Sequence, residues 1–309
     1  MIGAASRQVA GMRGGEDNDK MSGTKSVHTK LWQHSRLRAL LAKIAYPVFL
    51  ALNRPSMTWF GNLAYDFALR CNGIAITFSG KSGLTRAEEH FLRRNKTRFQ
   101  DGVLLDVGAN RGDYARLLHK LAPSARVIAF EPHPSTFALL SRLLVDIQPI
   151  HLINKAVGDK VGQLKLYDFQ FADGSSQASL NEAAIALYSN DIVEHVVDCT
   201  TIDDFMAESG INHIDFLKID TEGHDLSVLR GAKQALRDRR IGMIQFEFIP
   251  ANIATGATMH GFFEALEGYR ISRLCLNGAL RSLEPYDVKR CEIYVTHNLI
   301  ATPVNGARH

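Results

Sequence analysis

Two stretches of this sequence predict an α/β protein built on a doubly wound, mostly parallel sheet, with an N-terminal helical extension. In "DGVLLDVGANRGDYARLLHKLAPSARVIAFEPHPSTFALLSRLL" (101–144), short apolar strands alternate with helices of 3.6-residue period. In "FLKIDTEGHDLSVLRGA" (216–232), an apolar strand gives way to a helix with Leu226, Leu229 and Ala232 at helical spacing. Strands joined through a helix lie parallel, with a right-handed crossover. A chain of 309 residues is long enough for one such domain and an extension.

The composition, 46% hydrophobic and 22% charged, is that of an ordinary globular chain. A net charge of +4 is too small to imply a nucleic-acid partner. Cys71, Cys199, Cys275 and Cys291 are scattered with no C-x-x-C pair, which predicts a reduced, cytoplasmic chain without disulfides or a zinc site. Residues 1–28, rich in Gly, Ser and charge, are expected to be disordered. They contain no apolar core of a secretory leader, and Met1, Met12 and Met21 are all candidate starts.

Residues 29–95 read as a helical extension, and the main domain as 96–305. Within 31–53, Leu37, Leu40, Leu41, Ile44 and Val48 follow a helical period beside Arg36, Arg38 and Lys43. Pro47 is expected to break or kink that helix. The apolar run at 44–52 is far short of the roughly 20 residues that span a bilayer. Two readings stay open: a cap on the main domain, or an interfacial helix in peripheral contact with the inner membrane surface, near a glycolipid. "RRNKTRF" (93–99) reads as a solvated helix face.

Within 101–144, "VLLDV" is a strand, "GANRG" a tight turn, and "DYARLLHKLA" a helix with Tyr114, Leu117, Leu118 and Leu121 on its apolar face. Gly108 and Gly112 would let backbone approach a ligand without an intervening Cβ, and Asn110 tolerates a left-handed conformation. Glu131 ends the second strand, "RVIAFEP", where a carboxylate can accept from both hydroxyls of a ribose. Asp106, just before the turn, suits an amino group better than a pyrophosphate. This favours S-adenosylmethionine, with its cationic amino-acid end, over NAD.

Downstream, "HLINKAVGD" (151–159) and "GQLKLYDF" (162–169) are strands, and 172–183 is a polar loop of the kind that carries ligand contacts. "HVVDCTTIDDFMAES" is a strand and a helix capped by Thr200 or Thr201. "MIQFEFIP" (243–250) is another strand, with Glu247 near its carboxyl end. The closing segment gives one helix and two strands, at about 269–276 and 291–297.

"DVGANRGDYA", "FEPHPSTFALL", "NKAVGDKVGQLKLY", "TTIDDFM", "IDFLKIDTEGHDLSVLRGA", "QFEFIPAN", "GYRISRL" and "CEIYVTHNLIA" follow in that order between about 101 and 301. Together they resemble the class I S-adenosylmethionine-dependent methyltransferases of the FkbM type. Thr221 departs from the small apolar residue usual there. The resemblance implies a seven-stranded Rossmann-like sheet, with "IDFLKID" beside the first strand and the last two strands as an antiparallel edge pair. It implies a cofactor held by Asp106, Gly108, Asn110, Gly112, Glu131 and Pro132. Asp220, Glu222 and His224 then fall at the carboxyl edge of the sheet, where ligands sit in folds of this kind.

The reaction implied is O-methylation of a sugar or polyketide hydroxyl, with a carbohydrate or glycolipid acceptor. His224 would be the base, oriented by Asp220 or Glu222. In a second version Asp220 and Glu247 hold a Mg²⁺ that acidifies the hydroxyl. Blander readings stand beside these: His224 capping a surface turn, Glu222 serving a helix N-terminus, Asp225 at the surface or as a cap, and His133 either near an adenine or on an exposed turn. The functional rivals are a catalytically silent membrane-associated binding module and an NAD-dependent oxidoreductase.

Overall fold

The computed structural model describes residues 39, 43–147, 149–169, 178–180, 186 and 191–304. The expected disorder of 1–28 and most of the polar loop at 172–183 lie outside them. The chain divides into two units, Met1–Tyr65 and Asp66–His309.

In the first unit residues 43–52 are helical without interruption, so Pro47 does not end the helix. A 3₁₀ turn, Pro55–Met57, with Pro at its first position, leads into helix α1 (Thr58–Cys71).

The second unit carries an eight-stranded sheet. Its parallel part is β1 (Val103–Val107), β2 (Arg126–Phe130), β3 (Ile150–Ile153), β7 (Phe216–Ile219) and β8 (Ile244–Phe248). Its antiparallel part is β9 (Tyr269–Leu274), β10 (Leu280–Ser282) and β11 (His297–Pro303). The spatial order is β10-β9-β11-β8-β7-β1-β2-β3. "IDFLKID" does lie beside the first strand. The three-residue β10 adds an eighth strand to the seven expected. A separate three-stranded sheet, in the order β4-β6-β5, contains β4 (Ala156–Val157), β5 (Gly162–Phe169) and β6 (Ile192–Thr200).

The last strand begins at His297 rather than near 291. The residues "CEIYV" are apolar enough for a strand but are used otherwise. Glu292 accepts hydrogen bonds from the backbone N–H groups of Met259 and His260, both at 2.9 Å, at the start of a helix. Tyr294 packs on Phe248.

Successive residues of the central strands point to opposite faces, and two apolar cores result. Leu105, Ile128 and Leu217 face one, and Leu104, Val127 and Phe216 the other. The second core is covered by α2 (Arg86–Phe99) and α3 (Asp113–Leu121), through Phe91, Leu92, Phe99 and Leu118. The compact unit therefore starts well before residue 96. Helix α2 opens with a reciprocal cap, in which Thr85 and Glu88 satisfy each other's backbone N–H groups. Arg93, Arg94, Lys96 and Arg98 are solvated as expected, but Phe99 in the same stretch is buried.

Candidate active site

The strand order reverses between β1 and β7, and there, at the carboxyl ends, a cleft of about 560 Å³ including its open mouth lies on the edge of the sheet. Its apolar wall includes Val107, Phe130, Val157 and Leu166, and its polar wall includes Asn110, Glu131, Lys155, Asp220 and Glu222. Pro132 and Gly108 also line it.

Glu131 follows β2 and is almost fully buried. Its carboxylate accepts hydrogen bonds from the backbone N–H groups of Asn110 (2.8 Å) and His133 (2.9 Å). Burial raises its pKa to about 7, against the opposing pull of those two bonds. Asn110 takes a left-handed backbone (φ 48°), as its residue type suggested. Gly108 is required for another reason than ligand approach: a Cβ there would meet the carbonyl oxygen of Asp220 at 1.8 Å. Gly112 is not on the cleft wall. It begins α3 at φ 80°, and a Cβ would meet Leu140 and Leu144 at 2.7 and 2.8 Å.

Asp106 also does not line the cleft. It alternates with Leu105 and Val107 and so points to the α2 and α3 face, fully buried. Lys218, opposite it in the β1–β7 register, lies on the same face. The Lys218 ammonium is 3.5 Å from Asp106 and 3.0 Å from Asp220, and sits over the ring of Tyr114. Burial alone would lower the Lys218 pKa, but Asp220 and Asp106 outweigh it and hold the lysine charged. Tyr114 donates to Gln245 (2.7 Å), and Gln245 donates to Glu88 (2.8 Å) and Asn298 (2.9 Å). Asn298 donates in turn to Glu247 (3.0 Å).

Above this floor stand three more carboxyl groups. Glu222 has a left-handed backbone (φ 52°), and its carbonyl accepts from the Ser179 hydroxyl at 3.0 Å. Burial, followed by Asp220 and Asp225, raises its pKa to about 8. Burial, with Asp220, Glu88 and Glu222, holds Glu247 well above the carboxylate range. Asp225 is neither a surface residue nor a simple cap. It is buried and accepts from the backbone N–H groups of Thr221 and Glu247, both at 2.9 Å, tying the end of β7 to β8.

His224 departs from expectation. It is not on the cleft wall, and its Nε2 lies in the space beside Gly158, where a Cβ at Gly158 would be 3.4 Å from it and 3.7 Å from Ser227 Oγ. Burial lowers its pKa, and the carboxylate that opposes this is Asp159, not Asp220 or Glu222. The spacing Asp220, Glu222, His224 suggests a common face. The left-handed residues Glu222 and Gly223 reverse the chain before His224 and break that alternation. His133 is buried at the start of α4 (Pro134–Leu143), accepting from Thr136 N, with Nε2 3.5 Å from Asp168. It is neither exposed nor on the cleft wall.

The Mg²⁺ version does not fit these side chains. The Lys218 ammonium holds a cation's place at Asp220, and Glu247 already accepts from the Asn298 amide. Among the described residues no group of three or more His, Cys, Asp or Glu side chains is arranged to hold a metal. Sequence reasoning passed over Lys218, Lys155 and Ser179. Lys218 carried a signal, since a lysine between Leu217 and Ile219 in a buried strand must have partners. Lys155 and Ser179 lie in loops whose fold the local pattern does not specify.

A doubly wound sheet with an acid-rimmed cleft at its switch point places this chain among α/β proteins that hold ligands at the carboxyl ends of their strands. The sequence profile of the methyltransferase FkbM domain matches residues 106–271, more than half of the chain, and the chain belongs to that family. Over 149 residues it is 27% identical to the 2-O-methyltransferase NoeI of Sinorhizobium fredii, covering 45% of this chain and 61% of that protein. It is 32% identical over 142 residues to the hexuronic acid methyltransferase AglP of Haloferax volcanii, covering 45% and 53%. The chain spans about three-fifths of the length of the first curated relatives it matches. The crystal structure of methyltransferase FkbM from Methylobacillus flagellatus aligns with a TM-score of 0.41 at 17% identity, over 66% of this chain and 44% of that one.

Proposed function

We propose that this chain is an S-adenosylmethionine-dependent O-methyltransferase whose acceptor is a sugar hydroxyl of a glycan, glycolipid or glycosylated natural product. One observation carries the reading: a single cleft is flanked by Glu131 after β2 and by Asp220 and Glu222 after β7. Glu131 keeps lone pairs for two ribose hydroxyls beside its backbone bonds. Lys155 supplies a cation at the wall. The 2-O-methyltransferase and hexuronic acid methyltransferase named among the relatives support a sugar acceptor.

When bound, S-adenosylmethionine supplies an electrophilic methyl group whose bond to sulfur breaks as the acceptor oxygen attacks. Alignment of that attack supplies much of the rate, and the apolar wall of Phe130, Val157 and Leu166 excludes water. Glu222 takes the hydroxyl proton, in place of His224. A carboxyl group near pKa 8 is about one-tenth ionised at pH 7 and half ionised at pH 8, so its fraction available as a base rises through that range. Lys218 holds Asp220 in place beside it.

Calorimetric titration with S-adenosylhomocysteine and with NAD tests the reading. Binding of the first and not the second is expected. Glu131→Ala should weaken it by at least about tenfold, because two ribose hydroxyls lose their acceptor. Binding of NAD alone, or unchanged affinity in Glu131→Ala, refutes it. A protein that binds and never transfers methyl to any sugar would be the silent module instead.

A further inference from the structure

We propose that residues 43–67 form a monotopic anchor that lies in the interface of an anionic lipid bilayer. The helical stretch 43–52 is apolar on every side: Ile44, Tyr46, Val48, Phe49 and Leu50 are each more than half exposed. A helix apolar all round needs cover. Helix α1 then presents Trp59, Leu63 and Phe67 at i, i+4 and i+8, exposed by 64%, 60% and 70%, and buries only Leu69. Arg70, the next position on that stripe, is exposed as well. Scattered exposed apolar residues are normal, but a contiguous set of this size marks an interaction site.

Charge selects the partner. Between Asp19 and Asp66 the sequence has seven Lys and Arg and no Asp or Glu. The rest of the chain holds the other 29 basic residues against all 32 acidic ones, a net of −3. The positive excess therefore sits in residues 20–54, the stretch that leads into the exposed apolar side chains, with Lys43 and Arg54 among them. An exposed apolar stretch preceded by a basic, acid-free sequence matches the acyl boundary and headgroups of an anionic leaflet. No helix among the described residues is long and apolar enough to cross a bilayer. Aromatic residues such as Trp59 and Tyr65 suit the headgroup level.

The full chain should co-float with vesicles of phosphatidylcholine containing phosphatidylglycerol, and partition at least tenfold less onto phosphatidylcholine alone. In a Trp32→Phe background Trp59 is the one remaining tryptophan, and its emission should shift to the blue on adding the anionic vesicles. Leu63→Glu with Phe67→Glu should abolish flotation and leave S-adenosylhomocysteine binding unchanged. Lys43→Ala with Arg54→Ala should weaken partition on the order of tenfold, each charge being worth several-fold near such a surface. Added salt should weaken it too. Equal partition onto both vesicle types overturns the proposal. So does a chain that stays in solution as a dimer with Trp59 already blue-shifted, which would make a second copy the cover.

Discussion

Glu222→Gln should act in opposite directions on stability and on turnover. In the folded protein Glu222 keeps its proton up to about pH 8, whereas an exposed glutamate loses it near 4.5. Between those values the folded state binds the extra proton, so this group makes stability fall as pH rises, down to a plateau above 8. The gap corresponds to about 5 kcal/mol held against the ionised form. A glutamine avoids that cost but leaves an amide in a half-buried site, worth about 1–3 kcal/mol if poorly bonded. The net is about 2–4 kcal/mol in favour of the variant at pH 9, which is about 5–10 °C in melting temperature for a domain of this size. At pH 5 the folded glutamic acid is protonated and the gain shrinks to about 1 kcal/mol, so the variant should melt with the parent or up to about 2 kcal/mol below it, by the amide's own cost. Glu131, Asp225 and Glu247 are raised by burial as well, so part of the alkaline decline should persist. Turnover should drop about 10²–10⁴-fold, and the rise of activity toward pH 8 should vanish. Scanning calorimetry at pH 5 and pH 9, with methyl transfer to a hexuronic-acid glycan, reads both. Identical melting of the two proteins at pH 9 would refute the burial argument, and normal turnover would refute Glu222 as the base.

Two further outcomes follow from the floor and rim. Lys218→Met should cost about 3–5 kcal/mol, because it strands the buried Asp106 carboxylate; Lys218→Met with Asp106→Asn should recover most of that, and additive losses in denaturant melts would show that the pair is not coupled. His224→Gln should turn over within about threefold of the parent, since its ring lies beside Gly158 and Ser227 and off the cleft wall; a loss of 10² or more in a methyl-transfer assay would restore the imidazole as base.

The sheet was legible because its parallel strands are uninterrupted apolar runs followed by periodic helices. "VLLDV", "RVIAF" and "FLKI" each became a strand within two residues of the expected ends. Such runs are unambiguous when both faces are buried. The N-terminal boundary was less legible. Phe91, Leu92 and Phe99 are separated by charged residues, and nothing local distinguishes a helix lying on the sheet from one in solvent. The last strand was misplaced for a related reason. "CEIYV" has strand composition, but the job of Glu292 at the helix start near Met259 is set by residues more than 30 positions away.

At the site, the strand ends carrying chemistry could be read, and the direction of each side chain could not be read throughout. Alternation alone assigns Asp106 to the face opposite Val107, so its place beneath the cleft was available from the sequence once β1 was drawn. The same rule puts Lys218 and Asp220 on one face and pairs Asp106 with Lys218 across the register. A ligand reading of Asp106 passed over that arithmetic. Beyond Asp220 alternation fails, because Glu222 and Gly223 are both left-handed. A glycine there signals a turn but not its hand, and a left-handed glutamate is uncommon enough that no pattern predicts it. That single reversal decides the chemistry, since it leaves Glu222 on the cleft wall and carries His224 away from it.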